Sequence, residues 1–317
     1  MRFVRKRVLQ LILVLLAVTF LSFLMINLLP GDPARAVCGI SCDQKAYEQT
    51  RADLGLDHNI VYRYVTWLKD LVSGDMGTSA TNKQPVSQAL SQRLPVTIEL
   101  LIYSEIIALV LAIPMAILAA QRAGSVFDRA STTVAFGMLS VPDFVVGILL
   151  IRIFAVNLGW FPVTKQVGFF SDPVGNLHDM FLPALTLAFG EMAVYMRLLR
   201  TDLISTLQED YITMAKAKGI TSRRVLMRHA FRPSSFSLVT VIGLDMGRLI
   251  GGAFIVEILF ALNGMGSYIV TSIFSRDYIP VQGGVVLVAV GYVLINFGVD
   301  MLYAVIDPRI RHARALA

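Results

Sequence analysis

Six apolar stretches, each long enough to cross a lipid bilayer, constrain the fold of this chain more than any other feature. They lie near residues 8–29, 97–120, 131–156, 181–201, 236–260 and 282–306. A hydrocarbon core about 30 Å thick is spanned by about 20 helical residues, and backbone groups in lipid must bond to one another. Because 56% of the residues are hydrophobic and 16% are charged, we predict an all-α integral membrane protein with six transmembrane helices.

Lys and Arg residues in the short connecting segments set the predicted orientation. Basic residues precede the first stretch, follow the second and close the chain, and eight lie between Arg197 and Arg232. The positive-inside rule therefore places both termini in the cytoplasm. The net charge of +6 reflects this topology, and no basic cluster alternates with aromatic residues as nucleic-acid binding would require. The first stretch is longer than the apolar part of a signal peptide, so we expect it to be a membrane anchor.

Residues 31–95 are polar and are predicted to form a small extracytoplasmic helical subdomain between the first and second spans. Helical periodicity at 46–54 and 60–72 predicts two short helices, followed by a turn-rich stretch at 73–79. Cys38 and Cys42 are the only cysteines, and an oxidising compartment favours a disulfide between them. Two free thiols are the alternative, while the absence of a nearby His does not favour a zinc site.

These features divide the chain into four parts. Residues 1–30 hold the basic start and first span, and 31–95 form the subdomain. Residues 96–306 form a five-helix core that includes a cytoplasmic loop at 202–234, and residues 307–317 are a cytoplasmic tail.

The cytoplasmic segment at 209–233 is basic and amphipathic. Its sequence predicts a helix through residues 210–218, a left-handed end at Gly219, and a second helix capped by Thr221 or Ser222. One apolar face is predicted to combine Ile212, Met214, Ala215, Val225, Leu226 and His229. This pattern indicates a docking surface for another protein. A positively charged loop that only follows the topology rule is the alternative.

Ionisable residues in or near the predicted spans are candidates for a polar pathway, because they are costly in lipid. They are Glu105, Asp143, Arg152, Glu191, Asp245, Arg248, Glu257 and Asp300. We take Glu191, Asp245 and Glu257 as candidates for lining a translocation path. The alternative is that such residues pair with one another, and the spacing of Asp245 and Arg248 predicts a pair on one helix face.

Glycines recur along the fifth predicted span, at Gly243, Gly247, Gly251 and Gly252. Small residues at this spacing allow close helix packing. The contact could be between subunits or within the chain.

Motifs for catalysis are missing from the sequence. It contains no Gly-x-x-x-x-Gly-Lys-Ser/Thr, no His-Glu-x-x-His and no Gly-x-Ser-x-Gly. We therefore expect no ATP hydrolysis by this chain, no catalytic residue and no metal ligand.

Two cytoplasmic stretches carry a family resemblance: Thr-Met-Ala-Lys-Ala-Lys-Gly at 213–219 and Arg-Arg-Val-Leu-Met-Arg-His-Ala at 223–230. They resemble the coupling loop in the first permease subunit, dipeptide/oligopeptide permease B, of oligopeptide, dipeptide and nickel ABC importers. Two elements of the general sequence pattern of such coupling loops are not present here. Thr213, Met214 and Ala215 stand where Glu-Ala-Ala is expected, and no Ile-x-Leu-Pro follows. Further blocks in the same order resemble the family, at 28–34, 73–79, 93–99, 251–266, 276–283 and 303–311.

This resemblance implies the type I importer fold in a bacterial cytoplasmic membrane. It implies alternating access and four kinds of partner: a homologous second permease forming a heterodimer, two ABC ATPases, an extracytoplasmic solute-binding protein and a peptide substrate. ATP and Mg would bind the ATPases, and no cofactor would bind this chain. The residues carried over as ATPase-coupling are Ala215, Ala217, Gly219, Ile220, Arg223, Arg224 and Val225.

The substrate is less constrained than the class. Di- or oligopeptides are the expected substrates, with nickel complexes, glutathione or glycosides as alternatives within the same family. Two other classes are a stand-alone secondary transporter, which would need its own coupling-ion site, and a membrane anchor for the external subdomain.

Overall fold

The structure is a computed structural model that describes residues 2–28, 34, 38, 42–53, 57–163 and 167–306. The described residues form helices and connecting loops, with one isolated β-bridge between Thr78 and Pro85. The predicted tail at 307–317 lies outside the described residues. The all-α class is therefore confirmed for the described part of the chain.

The helices follow one another along the chain with these bounds. They are α1 (Arg2–Leu28), α2 (Gln44–Asp53), α3 (Ile60–Val72), α4 (Val86–Gln121), α5 (Val126–Leu139), α6 (Asp143–Leu150), α7 (Pro173–Leu207), α8 (Asp210–Ala217), α9 (Ser222–Arg224), α10 (Phe231–Leu259), α11 (Met265–Phe274) and α12 (Tyr278–Ile306). Wider π-helical turns extend α6 over Ile151–Asn157 and join α9 to α10 over Val225–Ala230. The two helices predicted near 46–54 and 60–72 are present as α2 and α3.

The first compact unit comprises residues 1–96 and 263–317. In it α1 packs against α12 and α3, and α11 packs against α12. Val86, Leu90 and Met265 form a small buried cluster. Phe23 of α1 contacts Trp67 of α3 with ring centroids 5.6 Å apart.

The second unit comprises residues 97–262. Helix α7 is its centre and packs against α5, α6 and α10. One face of α4 carries Ala108, Ala112, Ala116 and Ala119, all fully buried in the main hydrophobic core. Small side chains at helical spacing let neighbouring backbones approach closely, which explains why alanine occupies these positions.

Four helical segments are long and apolar enough to cross a membrane. They are Val86–Gln121, Pro173–Leu207, Ser222–Leu259 and Tyr278–Val299, and a bent pair, α5 with extended α6, would be a fifth. The described apolar part of α1, Val8–Leu24, is shorter. Several apolar membrane helices are thus present, while the count of six stays a prediction.

The stretch at 131–156, which we predicted as one helical span, is broken. Helices α5 and α6 meet at 100°, and Pro142 lies at the junction as the residue preceding α6. Proline lacks a backbone N–H and disfavours helical conformation in the residue before it. The prediction of one continuous span was wrong because it relied on the mainly apolar composition of the stretch.

Candidate functional site

Helix α8 ends in a Schellman motif, the hydrogen-bonded turn that a left-handed residue makes after a helix. The N–H of Gly219 donates to the carbonyl of Lys216 at 3.0 Å, and that of Ile220 donates to Ala215 at 3.3 Å. Gly219 has φ of +78°, a conformation that glycine adopts without strain. Helix α9 then begins after Thr221. The predicted helix, turn and second helix are confirmed.

The predicted apolar face of this segment is covered by the chain itself. Ile212, Ala215, Val225 and Leu226 are buried in the core of the second unit. Met214 is instead 59% exposed. The interpretation of this face as a docking surface is therefore wrong, because amphipathic spacing shows that a face is covered but not by which partner.

The opposite face of the segment is exposed and basic. We define the coupling surface by its exposed residues, Thr213, Met214, Lys216, Ala217, Lys218, Gly219, Arg223 and Arg224. Among the predicted ATPase-coupling residues, Ala217, Gly219, Arg223 and Arg224 lie on it, and Ile220 is half-buried. Ala215 and Val225 lie beneath it. The role of all seven in coupling stays a prediction.

A hydrogen bond joins the two arms of the segment. The hydroxyl of Tyr211 donates to the carbonyl of His229 at 3.3 Å. Burial and neighbouring Glu209 raise the pKa of Tyr211 above its ordinary value, so the phenol is protonated and remains a donor at neutral pH. The contact thus holds the two arms of the segment to each other, while the apolar underside attaches the segment to the core of the second unit.

A group of polar side chains lies inside the second unit, where α7 and α10 meet. Nη2 of Arg248 donates to Oε1 of Glu191 at 2.6 Å, and Glu191 is 2% exposed. The sequence predicted a pair between Arg248 and Asp245 on the same helix. Arg248 instead forms its ion pair across helices, since a long guanidinium side chain reaches a neighbouring helix as easily as its own.

Further carboxyl groups surround this ion pair. Asp143 on α6 and Asp245 on α10 both interact electrostatically with Arg248. Glu105 on α4 interacts with Asp245 and accepts a hydrogen bond from the hydroxyl of Tyr195 at 3.2 Å. We call Glu105, Asp143, Glu191, Asp245 and Arg248 the polar cluster. Two of the three predicted path candidates, Glu191 and Asp245, belong to it.

The third path candidate, Glu257, lies elsewhere. It is fully buried and accepts a hydrogen bond from the hydroxyl of Thr97 at 2.5 Å. This hydrogen bond holds α10 against α4 at Thr97. Its role in lining a translocation path stays a prediction.

Sequence reasoning missed an ion pair near the ends of α5 and α7. Asp128 on α5 is 2% exposed on its side chain and pairs with both Nε and Nη2 of Arg200 on α7. Its carboxylate also accepts the N–H of Gly124 at 2.8 Å, and Ser125 caps the helix by accepting the N–H of Asp128. The pattern Ser-x-x-Asp at 125–128 is a helix-start signal that could have identified Asp128 as structured.

The glycines of α10 divide between two environments. A Cβ added to Gly252 would lie 3.1 Å from Cδ2 of Leu187, whereas one added to Gly251 would meet no atom within 4 Å. Gly252 therefore serves packing within the chain. Gly251 is exposed.

Cys38 and Cys42 are joined as a disulfide in the structure, with their Cα atoms 5.6 Å apart. This separation is within the range of ordinary disulfides. In the described residues no group of three or more His, Cys, Asp or Glu side chains is arranged to hold a metal ion.

Comparison with known proteins places these features in a family. Residues 112–312 match the family described as binding-protein-dependent transport system inner membrane component. Residues 1–101 match the N-terminal part of a membrane component of the same kind of system.

Full-length relatives agree with this match. A peptide transport system permease protein of Brucella abortus (strain 2308) is 40% identical over 97% of this chain and 98% of its own length. The oligopeptide transport system permease AppB of Bacillus subtilis (strain 168) is 37% identical over 98% and 99%. The glutathione transport system permease GsiC of Pectobacterium atrosepticum is 39% identical over 97% and 98%.

Several helices long and apolar enough to cross a membrane, with carboxyl groups enclosed among them, define a multi-pass membrane protein. More specifically, the chain belongs to the family of binding-protein-dependent transport system inner membrane components. It is the membrane-embedded transport component of an ABC importer, whose ATPase is carried by other subunits. The predicted family resemblance is confirmed.

Proposed function

We propose that this chain forms half of the translocation path of an ABC importer for di- or oligopeptides. The names of the relatives from Brucella abortus and Bacillus subtilis support a peptide substrate. The other half of the path is a homologous second permease. Two ABC ATPases bind ATP and Mg on the cytoplasmic side, and an extracytoplasmic solute-binding protein delivers the peptide. The chain has six spans with both termini cytoplasmic.

The observation that carries the coupling role is the two-sided construction of the segment at 209–233. Its underside is fixed in the permease core by Ile212, Val225 and Leu226. Its basic outer side is exposed in the described part of the chain and is available to a partner protein. A rigid protrusion attached in this way transmits displacement to α7 and α10, because packed side chains resist deformation. ATP-driven movement of the ATPases would thus rotate the helices and switch access from one side of the membrane to the other.

A reconstitution experiment tests this proposal. The tagged chain is purified from native membranes in mild detergent, and its partners are identified by mass spectrometry. The complex is then placed in proteoliposomes with the solute-binding protein. We expect a second permease, P-loop ATPases, and ATP-dependent uptake of labelled peptide. Recovery of the chain alone, or uptake without ATP, would contradict the proposal and favour a secondary transporter.

Glutathione and a nickel chelate serve as competing substrates in the same assay. We expect excess unlabelled peptide to reduce uptake of the labelled peptide more strongly than either compound. Stronger competition by glutathione would assign the chain to the activity named for the Pectobacterium relative.

A further inference from the structure

Helix α3 carries an apolar surface that is exposed in the described part of the chain. Val61 and Val65 are each 58% exposed, and Val72 is 81% exposed. These three residues lie within about 40° of one another around the helix axis, and we call them the valine stripe. A separate arc of the helix, the polar arc, is also exposed and consists of Tyr62, Thr66, Lys69 and Asp70. With 13 residues the helix is about 20 Å long, which is too short to cross a bilayer.

A third side of α3 is held against α1, and both helices belong to the first unit. The hydroxyl of Tyr64 donates to the carbonyl of Leu16 at 3.2 Å. The rings of Trp67 and Phe23 have centroids 5.6 Å apart, and Cζ of Arg63 lies 5.8 Å from the centre of the Phe23 ring. These contacts fix both the position of α3 along α1 and its rotation about its own axis.

The contacts with α1 show how deep each side of α3 lies in the membrane. The apolar stretch of α1 ends six residues after Phe23 and 13 residues after Leu16, so these residues lie about 9 Å and about 20 Å from its end. Arg63 and Tyr64 are consecutive, yet Arg63 contacts Phe23 while Tyr64 reaches Leu16. Trp67, one turn later, again contacts Phe23. Because depth changes around α3 and not along it, α3 runs across α1, roughly in the plane of the membrane.

The polarity of α3 changes in the same direction as the depth. Arg63, Trp67 and Tyr64 follow one another around the helix axis in steps of about 40° and 60°, and this order leads from the contact with Phe23 to the deeper contact with Leu16. Continuing around the axis in this direction leads to the valine stripe. The opposite direction leads from Arg63 to the polar arc. The valine stripe therefore faces the middle of the bilayer, and the polar arc faces away from it.

The chemistry of α3 at this depth matches lipid. On α1, the side chains of Leu16, Phe20 and Leu21 are 43%, 38% and 55% exposed, so apolar surface is exposed on both helices at the level of their contact. Tyr64 and Trp67 combine an apolar ring with a polar group, as residues at membrane interfaces do. An amphipathic helix of this kind buries its apolar face about 5–10 Å into the boundary between headgroups and acyl chains.

We propose that α3 is an interfacial helix whose valine stripe is covered by lipid acyl chains. In the proposed topology the end of α1 that follows Phe23 is extracytoplasmic, so these lipids belong to the outer leaflet. The helix attaches residues 60–72 to the membrane surface, with the polar arc in contact with water. The inference concerns the membrane contacts of the chain and is independent of which substrate the importer carries.

Nitroxide labels on single introduced cysteines test this inference in the assembled importer. Val61→Cys and Val65→Cys place the label on the valine stripe, whereas Tyr62→Cys and Thr66→Cys place it on the polar arc, and all four replace exposed side chains. The native cysteines are bonded to each other, and wild-type importer treated in the same way gives the signal of the partner subunits, which is subtracted. In phosphatidylcholine vesicles, the collision rate of each label is measured with oxygen, which concentrates among acyl chains, and with a neutral nickel chelate, which stays in water.

We expect the ratio of oxygen to nickel-chelate collisions to be at least about fivefold higher on the valine stripe than on the polar arc, because a polar chelate is excluded from hydrocarbon. Saturating solute-binding protein should leave the ratio on the stripe unchanged. Equal ratios on the two sides would show that the stripe lies in water, and exclusion of both reagents would show that protein covers it. Either result would overturn the inference, as would a loss of oxygen collisions when the solute-binding protein is added.

A second measurement uses intact cells and does not require reconstitution. A large membrane-impermeant maleimide shifts the tagged chain on a gel, so thiols of other subunits do not contribute. We expect Thr66→Cys to react at least about tenfold faster than Val65→Cys, because the reactive thiolate forms in water and not among acyl chains. Equal rates would contradict the lipid contact.

Lys69→Cys and Val72→Cys are a second matched pair on the same two sides of α3. They repeat the comparison if a variant of the first pair does not reach the membrane. Reaction of Thr66→Cys only after the cells are permeabilised would contradict the proposed topology, while a slower reaction of Val65→Cys under the same conditions would still support the contact of the valine stripe with lipid.

Discussion

The hydroxyl of Ser79 donates a 2.5 Å hydrogen bond to the carboxylate of Asp277, which lies 198 residues further along the chain. The same carboxylate accepts the backbone N–H groups of Ala80 and Thr81 at 3.2 and 3.1 Å. Asp277 is 3% exposed. A single buried carboxylate thus holds the turn at 79–81 beside the connection between α11 and α12. The buried carboxylate accepts hydrogen bonds from three donors, and these bonds fix the conformation of the loop.

Asp277→Asn is predicted to loosen this turn. An amide can accept through one oxygen but presents its own NH₂ to the backbone donors, so we expect a local loss of about 2 kcal/mol. Cleavage within residues 73–85 by an added protease, measured on intact purified protein, should become at least tenfold faster, because proteolysis follows local opening.

Asp75→Asn is the control for this variant. Asp75 is in the same loop, is exposed, and accepts the N–H of Gly77 at 2.8 Å. Its replacement should change the cleavage rate less than twofold. Equal acceleration by both variants would mean that Asp277 does not hold the turn.

Gly219→Val is predicted to uncouple ATP hydrolysis from transport. The φ of +78° at Gly219 is strained for a β-branched residue by about 1–3 kcal/mol. A new Cβ would meet no atom within 4 Å, so the effect comes from the backbone rather than from a clash. Peptide uptake per ATP hydrolysed in proteoliposomes should fall at least tenfold.

Gly219→Asn provides the comparison, because asparagine tolerates the left-handed conformation better than other side chains. It should retain most of the coupling while adding a side chain of similar size at the same place. If both variants lose coupling equally, a requirement for space at the coupling surface would replace the conformational explanation. Normal uptake and normal ATPase stimulation in the valine variant would refute both.

How well the sequence predicts a structural feature of this protein depends on how far apart along the chain the residues that form the feature lie. Gly219 and the N-cap at Thr221 are local signals, and the turn that they predict is present. The sequence also identifies Glu191 and Asp245 as candidates for a polar site, because a carboxyl group within an apolar stretch is recognisable from the sequence alone. The sequence does not decide which residue Arg248 binds. Asp245 is a possible partner on the same helix, and Glu191 is a competing partner on a neighbouring helix.

The covered face of the coupling segment shows a second limit. The periodicity of Ile212 and Ala215 indicates burial correctly, but the covering side chains come from α4, α7 and α10, which are distant in sequence. Likewise, the break at Pro142 depends on how α5 and α6 pack on α7, because some membrane helices continue through a proline. Tertiary contacts decide these features.

The disulfide between Cys38 and Cys42 is predicted to form in the membrane-inserted protein and to contribute modestly to stability. Closing so short a loop stabilises by about 2 kcal/mol in the chain-entropy treatment. Alkylation of denatured protein followed by mass spectrometry should show no modified cysteine without reductant and two with reductant. Two alkylated cysteines in the unreduced sample would establish free thiols, the alternative that the sequence left open.

Arg200→Ala is predicted to destabilise the protein more than any single surface substitution, because it leaves the carboxylate of Asp128 buried without its cation. Asp128 is 2% and Arg200 21% exposed on the side chain. Breaking one side of a buried pair costs about 3–5 kcal/mol, so the detergent-solubilised complex should lose monodispersity at a clearly lower temperature.

Arg197→Ala, on the same helix, is the matched control for this prediction. The guanidinium of Arg197 lies 4.8 Å from the ring centre of Phe136, a contact that contributes about 0.5–1 kcal/mol. Adding Asp128→Asn to Arg200→Ala should recover part of the lost stability, because the unpaired charge is then removed. If Arg200→Ala resembles Arg197→Ala and Asp128→Asn restores nothing, the ion pair does not stabilise the junction of α5 with α7. A recovery that depends on Asp128 identifies the cost as an unpaired buried charge rather than as lost packing.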